Sequence, residues 1–274
     1  MSKAQSKKTL ITNRLGRQYW TWESDSFYMQ RLQSGPYQKQ NLLCLRKLCP
    51  NAHTILDIGM NIGMNTIEYA TWAKEVHGFE PVPTTYALAV ENIKLNSAHD
   101  NDKGWWLQED GTYASLLPTG KIYTHNIALG TEASTVEMQI KTCDGFNHVA
   151  NEDYATVTGR PRKKNTSDKR VESEQRTLDS YRFNDVDVIK IDVEGYELFV
   201  LEGASETIER NRPIVQIETV EVQQRLFGKT TQDIVNYFNE RDYIVTTSDG
   251  VVRGSEWFHT KRMMDRFMIP KEKL

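Results

Sequence analysis

Cysteine is scarce in this chain: Cys44, Cys49 and Cys143 are the three among 274 residues. They are too few and too unevenly spaced for a disulfide framework or a zinc cluster. Free, buried thiols in a reducing compartment are expected instead. Long apolar runs are missing too, with nothing near the roughly twenty residues that would span a bilayer. The opening MSKAQSKKTL is polar and basic and has no apolar stretch, which excludes a secretory signal. Excess charge of either sign is absent: the net formal charge is −3, and this slight acidity argues against a dedicated nucleic-acid binder. There is no internal repeat and no extended low-complexity segment. Hydrophobic residues make up 38% and aromatics 10%, enough for a core and against wholesale disorder. The length allows one large domain or two small ones. The expectation is a soluble, cytoplasmic globular protein with no membrane insertion.

The chain is organised around Thr54 to Thr66, TILDIGMNIGMNT. An apolar run ends in an acid, then in glycines and an asparagine, and a helical pattern follows. That reads as a buried parallel strand, a tight turn and a helix start. Gly59 and Gly63 suit unusual backbone angles and close approach to a ligand. A dinucleotide turn would read G-x-G-x-x-G, but its middle glycine is replaced here by Asn61. Asp57 at the strand end would repel phosphate and favour an ammonium or sulfonium, both of which S-adenosylmethionine carries. A second strand, EVHGF, leads to Glu80, about twenty residues past the first glycine, where an acid can accept hydrogen bonds from ribose hydroxyls.

The remaining elements follow in order. Residues 1–17 read as a flexible lead and 18–274 as one domain. An aromatic-rich segment with Trp20, Trp22, Tyr28 and Tyr37 either walls a pocket or packs a helical layer onto the sheet; Tyr37 and Gln38 are the pocket candidates. Gln38 to Leu48, Asn65 to Lys74 and Pro83 to Asn96 read as helices. Insertions are expected near residues 97–120 and 141–175. The second contains GRPRKKN and is read either as a lid contacting an anionic substrate or as a solvated loop. VDVIKIDVE, from Val186 to Glu194, is a strand buried on both faces. A helix from Glu197 to Arg210 follows, then strands PIVQIE and Tyr243 to Thr247, and a seventh at Arg266 to Ile269. Alternating strands and helices predict a doubly wound α/β fold, a seven-stranded, mostly parallel sheet. Asp57, Glu80 and Asp192 are expected at one edge of it.

DIGMNIG, GFEP, NIALG, RTLDSY and VIKIDVEGYELFVLEGA occur in this order, and together they resemble the FkbM family of class I S-adenosylmethionine-dependent methyltransferases. The resemblance covers roughly Gly35 to Glu218 and implies O-methylation of a sugar, glycan or related hydroxyl. It further implies that Asp57, Gly59, Asn61 and Gly63 line the methionine end of the cofactor, that Glu80 takes the ribose and that Asn126 sits near the adenine edge. Asp192 and Glu194 would face the methyl-transfer site, with S-adenosyl-L-homocysteine as product.

A hydroxyl acceptor must lose its proton, so a base should lie within reach. Asp192 or Glu194 fills that role or orients the hydroxyl; otherwise one of them caps the next helix. His125 is the alternative base, ahead of His148 and His259. No ligand spacing demands a metal and none is assigned, although Asp192, Glu194 and Glu218 could bridge a hard cation. Three competing readings are a nicotinamide-dependent dehydrogenase, a catalytically silent binding protein of the same fold, and a methyltransferase for a non-sugar acceptor. The first is disfavoured by Asn61 and Asp57.

Overall fold

The computed structural model describes residues 7–14, 16–23, 25–33, 35–97, 105–107, 113–115, 120–140, 148–149, 169–247 and 264–274. The chain opens with a hairpin, β1 (Lys8–Thr12) and β2 (Gln18–Trp22), then α1 (Ser26–Gln33) and α2 (Lys39–Leu48). β3 (Thr54–Ile58), α3 (Met64–Tyr69), β4 (Glu75–Phe79) and α4 (Pro83–Ser97) form the first crossovers. β5 (Trp105–Leu107) and β6 (Tyr113–Ser115) pair with each other before β7 (Lys121–His125). A side sheet follows from β8 (Ala128–Leu129), β9 (Ser134–Ile140), β10 (His148–Val149) and β11 (Lys169–Arg176). The second half comprises β12 (Val186–Ile191), α5 (Glu197–Glu202), α6 (Ser205–Asn211) and β13 (Ile214–Thr219). It closes with α7 (Glu221–Gln224), α8 (Thr231–Asn239), β14 (Tyr243–Thr246) and β15 (Met264–Pro270).

The main sheet has seven strands in the order β14-β15-β13-β12-β3-β4-β7. β15 runs antiparallel to both neighbours and every other pair is parallel. β3 and β13 are buried along their whole length, as continuous apolar strands between two helical layers must be. On one face Leu56, Ile58, Ile189, Ile191 and Ile217 pack with Leu198, Leu201, Ile208 and Phe238. On the other, Ile55, Val76, Val188 and Ile214 pack with Leu42, Leu45, Tyr69 and Trp72.

Several expectations need correction. The flexible lead fails from Lys8 onward: Lys8–Thr12 pairs with Gln18–Trp22, and the hairpin is fastened to the body. The Asn92 side chain accepts from the Trp20 N–H at 2.6 Å and donates to the Trp20 carbonyl at 3.1 Å, while Arg17 Nε meets Glu68 Oε1 at 3.0 Å. Trp20, Trp22 and Tyr37 pack around Tyr19, Leu32, Ile62 and Leu88, which favours the packing role for the aromatics. The expected Glu197–Arg210 helix is two helices broken at Gly203, where an added Cβ would run into the Gly130 carbonyl oxygen. The second insertion ends in strand β11 from Lys169. Within that insertion His148–Val149 is also placed, paired with β9 in the side sheet; residues 141–147 and 150–168, the basic GRPRKKN cluster among them, and His259 lie outside the described residues.

Candidate active site

Parallel register fixes which side chains share a face. Lys190 stands opposite Asp57, and Asp57 opposite Gly78, across three adjacent strands. Asp192 and Glu80 each follow their strands at the same edge, so the three acids are brought to one rim, with Asp57 one step inside it.

Asp57 is fully buried. Its Oδ2 accepts a hydrogen bond from Thr66 Oγ1 at 2.6 Å, and its Oδ1 lies 3.2 Å from Lys190 Nζ. Lys190 also donates to the Gly59 carbonyl at 2.9 Å and lies 3.6 Å from Asp192 Oδ2. Burial by itself would lower the lysine's pKa, but the charges of Asp57 and Asp192 outweigh it and hold the ammonium firmly protonated. Asp57 therefore does not reach toward a ligand as a bare charge. Lys190 was missed in the sequence, although a lysine inside a two-face buried strand is almost never unpaired and so was a signal.

The turn after β3 is built on left-handed backbone: φ is +79° at Gly59, +52° at Asn61 and +85° at Gly63. At Gly59 the constraint is also steric, because an added Cβ would strike the Asp192 carbonyl oxygen. Glu80 is 5% exposed, and its two oxygens accept the Asn61 N–H at 3.2 Å and the Val82 N–H at 2.9 Å. Asn126 donates to the carbonyls of Glu80 and Pro81 at 2.8 and 3.1 Å, fixing that bend from the neighbouring strand. Gln38, at φ +50°, accepts from Asn65 Nδ2 at 2.9 Å, so the start of α2 meets the start of α3. Tyr37 lies close enough to Asp192 and Glu218 that their charges join burial in raising its hydroxyl.

The loop after β12 carries the other acids. Glu194 sits at φ +57°, unusual for a residue with a side chain, and Gly195 follows at +109°. Glu197 folds this loop: its Oε1 accepts the N–H groups of Val193 at 3.1 Å and Gly195 at 3.2 Å. Gln224 Nε2 donates to Glu197, and Gln223 Nε2 donates to Glu194. Neither glutamine nor Glu197 was singled out in the sequence. Burial and the charges of Asp192 and Glu194 push the Glu218 carboxyl well above its usual range.

His125 is not brought to these acids. It pairs with Phe79 in register, and the Phe79 row packs against the opposite face of the sheet. Its ring stacks on Phe79 at 4.5 Å and its Nε2 is 3.2 Å from His77 Nδ1. The residue sharing the row of Asp57 is Thr124, whose hydroxyl meets Tyr86 Oη at 2.9 Å.

A doubly wound parallel sheet with one reversed strand, a glycine-rich turn and acids along one rim is the architecture of class I methyltransferases. Residues 57–245 match the family described as the methyltransferase FkbM domain, and the chain belongs to that family. S-adenosylmethionine is the methyl donor this membership implies. No curated protein matches the chain. Among solved structures it is similar to the methyltransferase FkbM from Methylobacillus flagellatus KT, at 16% identity and a TM-score of 0.49, over 80% of this chain and 44% of that one. This chain thus spans less than half the length of that protein. It is also similar to a TehB-like SAM-dependent methyltransferase from Corynebacterium glutamicum, at 10% identity and a TM-score of 0.41, over 86% of this chain and 90% of that one. Among the described residues, no helix is long and apolar enough to cross a membrane.

Proposed function

We propose that this protein transfers a methyl group from S-adenosylmethionine to a hydroxyl oxygen of a sugar or glycan-type acceptor. The residues suit that cofactor. Gly59, Asn61 and Gly63 keep the turn open to backbone approach, and Glu80 is a buried carboxylate fixed by two N–H groups at the strand end where an acid meets ribose hydroxyls. Asp57 serves from behind, ordering the turn through Lys190 and Thr66. Asn126 holds the Glu80 bend, and Tyr37 and Gln38 close the near wall. S-adenosylmethionine, when bound, supplies a methyl on a sulfonium, which passes in line to the acceptor oxygen as neutral S-adenosylhomocysteine departs.

The observation that carries the reading is the position of Asp192. Its backbone presses on the Gly59 turn and its side chain, 20% exposed, opens at the rim. It accepts the proton leaving the acceptor hydroxyl, while Glu194 orients that hydroxyl from the adjoining loop. His125 has no part in this, since it sits on the other face. Sugar and glycan-type hydroxyls are the first candidates, and a non-sugar hydroxyl is the second. The described cysteines Cys44 and Cys49 are in no disulfide, which suits a cytoplasmic setting.

The test is transfer of labelled methyl to a panel of glycan acceptors by wild type and Asp192→Asn. The expected loss in kcat is about a hundredfold or more, with S-adenosylhomocysteine affinity kept. Wild-type binding of S-adenosylhomocysteine without transfer to any acceptor would support a silent binding protein instead.

A further inference from the structure

Asp192, Glu194 and Glu218 come from two strand ends and the loop between them, and each presents a carboxylate oxygen within 4.8 Å of the others. Glu218 is 7% exposed, and its Oε2 has no hydrogen-bond partner. A buried carboxylate with one oxygen unpartnered, set beside two further carboxylates, calls for a positive partner. Lys190 is committed elsewhere: it touches Asp192 at the margin, while its closer contacts are Asp57 and the Gly59 carbonyl. Three oxygens with this spread suit a shared hard cation, because ligands about 2.1–2.5 Å from an ion stand at most about 4–5 Å apart.

We propose that Asp192, Glu194 and Glu218 form a divalent-cation site of the magnesium, manganese or calcium type at the methyl-transfer rim. Glu194 is preset for it by Gln223, which holds one of its oxygens. Asp192, the most open of the three, faces the ion with one oxygen and keeps the other for the acceptor proton. An ion here would leave positions open on the rim side. A hydroxyl bound there becomes more acidic, and an adjacent oxygen of the same acceptor can take a second position. Acceptors with two neighbouring oxygens, such as a vicinal diol, are selected on that basis. This use of the ion rests on the methyl-transfer reading above; cation binding itself does not.

Manganese titration of the full chain, followed by electron paramagnetic resonance of free and bound ion, reads the site directly. One saturable ion per chain is expected, displaced by magnesium or calcium. Glu218→Gln and Asp192→Asn should each weaken manganese binding about tenfold or more, with S-adenosylhomocysteine affinity within about twofold of wild type. Asp192 is partly exposed, so its variant stays interpretable if Glu218→Gln does not fold. No saturable binding by wild type, or equal manganese affinity in the Asp192→Asn chain, overturns the site. Manganese binding without any S-adenosylhomocysteine binding would leave the cation site standing and sink the methyltransferase reading.

Discussion

Lys190 and Asp57 stand opposite each other on adjacent parallel strands, and their charged atoms meet at 3.2 Å with side chains 4% and 0% exposed. The acid at the end of β3 is therefore already neutralised from within the sheet. Its contacts hold the turn, and on the methyl-transfer reading proposed above the cofactor's positive charge is met by the acids nearer the rim. Lys190→Met would leave Asp57 buried and uncompensated, at a cost of about 3–5 kcal/mol. Urea denaturation should show that loss, and adding Asp57→Asn to the same chain should return part of it. A single variant as stable as wild type would show that the pair contributes nothing.

Two glycines carried by adjacent strands, Gly59 just past β3 and Gly78 within β4, should respond differently to alanine. At Gly59 the left-handed backbone and the Asp192 carbonyl both oppose a Cβ. At Gly78 the added carbon meets only the Met60 side chain, which can move. Gly59→Ala should abolish S-adenosylhomocysteine binding and lower the melting temperature sharply, since strain and clash add. Gly78→Ala should bind within a few-fold of wild type in calorimetry.

The core of the fold was legible because its signal is local. VDVIKI and TILDI are apolar along their length, and the glycines and acids that follow mark the rim. What was hidden depends on register or on distant partners. His125 looked well placed because it ends a strand near the active edge. Side-chain parity within the sheet puts Thr124, not His125, in the row of Asp57 and Lys190. The β1 segment KTLIT buries only Ile11, and its hairpin is secured by Asn92 and Glu68, far along the chain. No pattern within the first seventeen residues reveals those partners. Glu197 reads as an ordinary first-turn acid, yet it folds the loop that presents Asp192 and Glu194.

Glu80→Gln separates binding from folding. The amide oxygen can replace only one of the two acceptors that now take the Asn61 and Val82 N–H groups, and it offers ribose a weaker partner. Losing a hydrogen bond to a charged acceptor costs about 1.5–3 kcal/mol. S-adenosylhomocysteine affinity should fall about tenfold to a hundredfold, with the circular dichroism spectrum unchanged. Unaltered affinity by calorimetry would remove Glu80 from the cofactor site.

His77 gives the fold a pH dependence of its own. Burial, together with the neighbouring His125, lowers its pKa from 6.5 to about 4. The unfolded chain takes up this proton near pH 6.5, and the folded chain only near pH 4. Between those values the unfolded state binds more protons, so stability must fall as pH drops through that window. The urea midpoint of wild type should decline there, and His77→Phe should flatten the slope. Since His125 Nε2 lies 3.2 Å from His77 Nδ1, the variant also alters the surroundings of His125, and the flattening reports both. Identical slopes for the two chains would contradict the assignment.

Arg17 and Glu68 form an ion pair at 3.0 Å with side chains 2% and 1% exposed, joining the N-terminal hairpin to α3. The helix that carries Glu68 also carries Thr66, the hydroxyl that fixes Asp57, so the hairpin bears on the turn two contacts away. Arg17→Ala leaves Glu68 buried without its cation and should destabilise by about 3–5 kcal/mol. Replacing both, as Arg17→Met with Glu68→Leu, removes the stranded charge and should recover most of that loss, because apolar substitutes of similar volume are often neutral. The S-adenosylhomocysteine affinity of the double variant then tells whether the hairpin only stabilises the fold or also tightens the cofactor turn. Affinity at the wild-type level assigns it to stability alone, and a drop of tenfold or more assigns it to the turn as well. A single Arg17→Ala chain with an unchanged denaturation midpoint would show that the hairpin is held by Asn92 and its apolar contacts without help from the pair.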